Sequence, residues 1–131
     1  MNVTRDRAAT VKGSTDWFTG DVYVDFIKQP NDASPTSVGN VHFAPGARTA
    51  WHTHPHGQTL YVLEGVGYVG RRGGAHEEIR AGDIVTINPG EEHWHGATAT
   101  NFMAHIAIND VDENGSPASW GEHVTEAEYG N

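Results

Sequence analysis

The sequence predicts an all-β domain. Short apolar alternations fill the chain, 16 glycines and 6 prolines punctuate them, and no segment holds a helical period of 3.6 residues beyond a turn or two. At roughly 100 to 200 residues per domain, the 131 residues fit one compact core, so residues 1–131 are expected to form a single domain. With 37% apolar and 19% charged residues, the chain is globular rather than disordered.

The first strand is expected over Asp21 to Ile27, where Val22, Val24 and Phe26 share one face. Gln29 to Gly39, with two prolines, is a loop that gives way to a strand over Val38 to Phe43, closed by Pro45-Gly46. Ala50 to His54 and Thr59 to Leu63 make a pair of strands. Glu64-Gly65 then opens a turn into Gly67 to Gly70, and Arg71 to Gly74 turns again. Ile84 to Ile87 is a strand stopped by Asn88-Pro89-Gly90, and His93 to Ala97 and Asn101 to Ile108 complete the series. Eight or nine strands at this spacing suit a sandwich or barrel. Thr125-Glu-Ala-Glu128 has the form of a capping box for one helical turn.

Charge and composition narrow the functions available. Eight Lys plus Arg against 17 Asp plus Glu give a net charge of −9, the wrong sign for a surface that tracks phosphates, so no nucleic-acid partner is expected. There is no cysteine, which removes thiolate nucleophiles, disulfides and iron–sulfur clusters and leaves N and O donors for any metal. No apolar run approaches the ~18 residues of a membrane span, and Met1 to Gly13 lacks the apolar middle of a secretory signal. The expectation is a soluble cytoplasmic protein with no membrane partner.

Five of the nine histidines fall in two clusters, His52-Thr-His54-Pro-His56 and His93-Trp-His95. Each cluster holds an i, i+2 pair, and on a strand such residues point to the same face. Four imidazoles facing one interior cost ~1–3 kcal/mol for each buried polar group left unpaired. A divalent metal satisfies them, and imidazole suits Mn, Fe, Co, Ni, Cu and Zn alike.

Around these histidines the chain reads Gly46-x5-His52-x-His54-x3-Gln58-x6-Gly65 and, 16 residues later, Gly82-x5-Asn88-Pro89-Gly90-x2-His93. This pattern resembles the two motifs of the cupin superfamily, G-x5-HxH-x3,4-E-x6-G and G-x5-PxG-x2-H-x3-N, over a motif core of residues 46–97. The resemblance implies a small double-stranded β-helix, or jelly-roll barrel, holding one divalent transition metal. Carried over, its ligands are His52, His54, Gln58 and His93. Three positions depart from the pattern: Gln58 for Glu, Asn88 for the first proline and Ala97 for Asn. The first of these alters the chemistry. A His3Gln shell leaves the whole +2 charge on the ion, which makes it the stronger Lewis acid toward anionic oxygen or cyanide.

A closer resemblance covers nearly the whole chain. Asp16-Trp-Phe-Thr-Gly20, Phe43 to Pro55, Gly57-Gln-Thr-Leu60, Pro89 to Ala97 and Met103-Ala-His-Ile-Ala107 look like the bacterial cupin hydroxynitrile lyases. These are small manganese-dependent proteins that cleave or form (R)-mandelonitrile. The resemblance therefore implies a lyase acting on a cyanohydrin, or on an aldehyde plus cyanide. It implies manganese as the ion, with iron, nickel, cobalt and zinc compatible with the same donors, and a homo-oligomer, dimer or tetramer.

It also places His105 and His95 near the metal as the proton-handling catalytic residues. His105 is expected as the base and His95 as its partner, histidine being neutral and basic near pH 7. Parity agrees for His95, which shares the face of His93. On the last long strand Met103, His105, Ala107 and Asn109 share one face, and periodicity leaves open which face is inside. The substrate pocket is expected to involve Val41, Phe43, Thr49 and Asn109. His42, His56, His76 and His123 are expected at the surface. Trp51 and Trp94 alternate with the ligands and should face away from them. Two other functions stay open on the same motifs: an oxygen-using metal-dependent cupin, such as a dioxygenase, and a non-catalytic metal- or ligand-binding cupin.

Overall fold

The computed structural model describes residues 1–130, and it is all-β apart from one terminal helical turn, as the alternation requires. The strands are β1 (Val11–Lys12), β2 (Phe18–Thr19), β3 (Val22–Lys28), β4 (Thr36–Phe43), β5 (Arg48–Thr49), β6 (His52–Thr53), β7 (Gln58–Arg71), β8 (Glu77–Arg80), β9 (Ile84–Ile87), β10 (His93–Ala97), β11 (Met103–Asp110) and β12 (Ser119–Trp120). The helix α1 is Glu126–Tyr129. All the strand pairs are antiparallel, and they form two sheets curled around one interior. The first runs β1-β3-β4-β11-β7-β9; the second runs from β8 through β7 to β10, which pairs with both β5 and β6.

β7 belongs to both sheets, which corrects the expected turn at Glu64-Gly65. Its first part pairs with β9 and β11, its last part with β8 and β10, and the strand bends between them without reversing. Gly65 makes the bend. Its φ is +78°, and a Cβ there would fall on the Phe102 carbonyl oxygen.

The expected strand Ala50 to His54 is also broken. The Ala50 N–H donates to the Trp17 carbonyl at 2.7 Å and the Trp51 N–H to the Glu122 carbonyl at 2.9 Å, so these two residues serve the chain ends rather than a neighbouring ladder. His52 re-enters the sheet opposite His93, and this pairing sets the two histidine clusters side by side.

Trp51 and Trp94 face away from the histidines, as parity predicts, yet neither meets solvent. With Val124 and Tyr129 they form a second core under α1. Buried Arg48 fastens that cover: its guanidinium donates to the Val124 carbonyl at 3.0 Å and to Glu126 at 2.8 Å, and lies 4.4 Å over the Tyr129 ring. The capping box Thr125/Glu128 closes the turn. No helix among the described residues is long and apolar enough to cross a membrane.

Candidate metal centre

The interior of the barrel carries a run of buried histidines: His52, His54, His93, His95 and His105. His52 is brought in by β6, His93 and His95 by β10, His105 by β11, and His54 by the loop after β6. Each of the three histidines among the expected ligands has its ring turned by a backbone carbonyl. His52 Nδ1 lies 2.9 Å from the Ala50 oxygen, His54 Nδ1 2.7 Å from the Pro117 oxygen, and His93 Nδ1 2.9 Å from the Glu91 oxygen. A carbonyl oxygen only accepts, so Nδ1 carries the proton in all three, and each neutral ring keeps a lone pair on Nε2.

Burial keeps these rings neutral. It pushes His52 and His95 well below the usual histidine range, His93 and His105 down to about 4, and His54 downward despite its carbonyl partner. The result is a cluster of acceptors facing one another. His93 Nε2 stands 3.3 Å from Gln58 Oε1, two lone pairs with no proton between them, and His54 Nε2 and His95 Nε2 are buried with no hydrogen-bond partner. A cation shared among these acceptors removes the conflict, which is the test the residues pass for holding a metal.

His52, His93 and His95 bring ligand nitrogens within 4.8 Å of one another, and this buried triad could hold one metal ion. The sequence pattern has His54 and Gln58 in place of His95. His54 is not part of that group of nitrogens, although its ring centre, 5.0 Å from His52 and 5.5 Å from His93, is as near to them as that of His95 at 5.3 and 5.6 Å. Gln58 is buried at the same end, its amide donating to Asn109 at 3.3 Å.

His105 lies behind His95, with Nε2 2.9 Å from His95 Nδ1. An apolar cavity of about 340 Å³ reaches the cluster from one side and is bordered by His52, His54, Gln58 and His95, but not by His105. Of the residues expected in the pocket, Val41, Thr49 and Asn109 line it. Phe43 does not. Its ring packs behind the dyad, 5.9 Å from His95 and 5.4 Å from His105. The other face of β11 is the outer one, Ile108 being exposed.

Sequence reasoning gave no cavity role to Trp17, Phe18 or Trp120, which form much of the wall. Trp120 pairs with His52 across β12 and β6 and stacks on its ring at 4.5 Å. Two-residue strands leave no alternation to detect. His56 and His123 are exposed, and His42 lies half-exposed 3.7 Å from Asp25. His76 is partly buried against Tyr68, with ring centres 4.1 Å apart, rather than free at the surface.

Comparison with known proteins gives one family and several relatives. The family model described as Cupin domain matches residues 39–109. The (R)-mandelonitrile lyase of Granulicella tundricola is 51% identical over 121 residues, 92% of each chain. A cupin-like protein from Thermotoga maritima superposes with a TM-score of 0.85 at 40% identity, covering 98% of this chain and 95% of that one. The polyketide cyclase RemF from Streptomyces resistomycificus, with a TM-score of 0.70 at 19% identity over 98% of this chain and 91% of its own, shares the fold.

Proposed function

The chain belongs to the cupin family, and from that premise we propose that it is a metal-dependent hydroxynitrile lyase that cleaves and forms (R)-mandelonitrile-type cyanohydrins. One observation carries the reading. In a chain 51% identical to an (R)-mandelonitrile lyase, an apolar cavity large enough for an aryl group ends on His95, whose buried Nε2 has no partner, and on the histidines that fit a metal.

We assign the ion to His52, His54, Gln58 and His93, and we take manganese as its identity. The three Nδ1-to-carbonyl hydrogen bonds and the opposed Gln58 oxygen support this set, since they present four acceptors and leave His95 free. A divalent ion held there supplies a Lewis acid that stabilises the negative charge developing on the substrate.

The protein's own groups handle the proton. With the proton on His95 Nδ1 donated to His105 Nε2, 2.9 Å away, the His95 Nε2 lone pair is left free at the cavity wall. That lone pair takes the cyanohydrin hydroxyl proton as the oxygen electrons form the carbonyl and the C–CN pair departs as cyanide. His105 accepts from His95 throughout and steadies the imidazolium that forms. Return of the proton from His95 to cyanide releases hydrogen cyanide and resets the base. The walls at Val41 and Ala107 exclude water and hold the aryl group.

We also propose a homo-oligomer, dimer or tetramer. Tyr61, Leu63, Ile84 and Ile108 are all exposed apolar residues of the first sheet, and a second copy would cover them. Benzaldehyde and cyanide release from each mandelonitrile enantiomer tests the function. Release from the (R) form above the metal-free background is expected, and its absence in metal-loaded protein would defeat the reading.

A further inference from the structure

Three large apolar side chains from separate segments stand around the mouth of the cavity: Val11 on β1, Trp17 in the turn before β2, and Phe26 on β3. They are 48%, 45% and 42% exposed. Single exposed apolar residues are ordinary on a protein surface, but a collar of them around one concavity marks a place where something apolar sits.

Trp17 is held in place. Its indole stacks on Trp120 at 5.3 Å and 10°, and its backbone accepts from Ala50 at 2.7 Å and donates to Ser14 at 3.1 Å. Beside Phe26 the partner strand carries Gly39, which has no side chain to fill the space between that ring and the cavity. An indole already held in place loses little entropy when a ring packs against it.

We propose that this collar is an outer ring-binding subsite, and that the cavity takes fused bicyclic arenes rather than single phenyl rings as its preferred ligands. The inner wall at Val41 and Ala107, next to His95, takes the ring that bears the reacting carbon. Val11, Trp17 and Phe26 take the second ring. On the lyase reading, on which the chemistry rests, the substrates are bicyclic aryl aldehydes and their cyanohydrins.

Calorimetric binding of 2-naphthalenemethanol and benzyl alcohol, neither of which carries a nitrile, tests the subsite without turnover. The bicyclic alcohol is expected to bind about tenfold more tightly. Trp17→Ala and Phe26→Ser should each remove most of that ratio while leaving benzyl alcohol affinity unchanged, and Trp17→Phe should keep part of it. Thermal melts of the same samples identify any variant that fails to fold, and the ratio in the unaltered protein then still decides. A ratio near one, or equal weakening of both alcohols in the folded variants, would overturn the proposal. Cyanide release measured in parallel judges the lyase reading on its own: a naphthyl preference with no cyanide release would sink the lyase and leave the subsite standing.

Discussion

His105 Nε2 lies 2.9 Å from His95 Nδ1, and of the two rings His95 is the one that borders the cavity. His105 is 0% exposed and is backed by Phe43, so on the proposed mechanism it acts on a bound molecule through His95. The sequence resemblance implies His105 as the base, whereas the mechanism proposed above gives that role to His95. Strand parity tells which side of a sheet a residue faces; it does not tell which of two inward rings stands nearer the cavity.

Replacing His105 with alanine should therefore lower kcat/KM for mandelonitrile cleavage by about 10²-fold or more while metal content per chain stays constant. His95→Ala should cost at least as much. Steady-state kinetics with metal analysis on the same preparations check both, and unchanged turnover in His105→Ala would remove it from the mechanism.

The ligand set separates in a second pair of variants. With the ion on His52, His54, Gln58 and His93, His54→Ala should weaken metal affinity by more than tenfold and His95→Ala should leave it nearly unchanged. Chelator competition measures this. The reverse pattern would assign the ion to the His52, His93 and His95 triad.

Burial lowers the pKa of His93 and His105 to about 4 and holds His52 and His95 well below the ordinary 6.5. Below pH 6.5 the unfolded chain binds protons that the folded metal-free chain refuses, so the stability present above 6.5 is lost as pH falls toward 4. The urea midpoint of chelator-treated protein should drop steadily from pH 7 to pH 5. A flat or rising midpoint would contradict the buried neutral cluster.

At Gly65, both the positive φ and the space argue against a side chain. Gly65→Ala should destabilise the fold by about 2 kcal/mol or more, because any relief of the clash with Phe102 opens the bend where β7 crosses between sheets. Denaturant unfolding reads the effect, and a loss within experimental error would mean the bend does not depend on this residue.

Much of the site was legible because its residues sit on regular strands. His93 and His95 follow a two-residue period on β10, His52 pairs with His93 from β6, and the glycine spacing carried the family motif across the loops between them. The fold class followed from the same alternation. What stayed hidden has physical causes. Gly65 marks a bend rather than a turn, and the residue type is the same for both. β8 (Glu77–Arg80) is a polar strand recognisable through its partner β7 but not through any apolar period. Phe43 has the parity of a wall residue, yet the intervening histidines put it behind the wall. Trp17 and Trp120 come from the two ends of the chain, and their stacking over His52 is a tertiary contact that no local pattern encodes.

The most direct measurement pairs two quantities in one purified sample: divalent metal per chain, and cyanide released from (R)- and (S)-mandelonitrile before and after chelation. The account predicts one ion per chain, release from the (R) enantiomer, and loss of both on chelation with recovery on adding manganese. Full metal occupancy with no cyanide from either enantiomer, or release that survives removal of the ion, would contradict it.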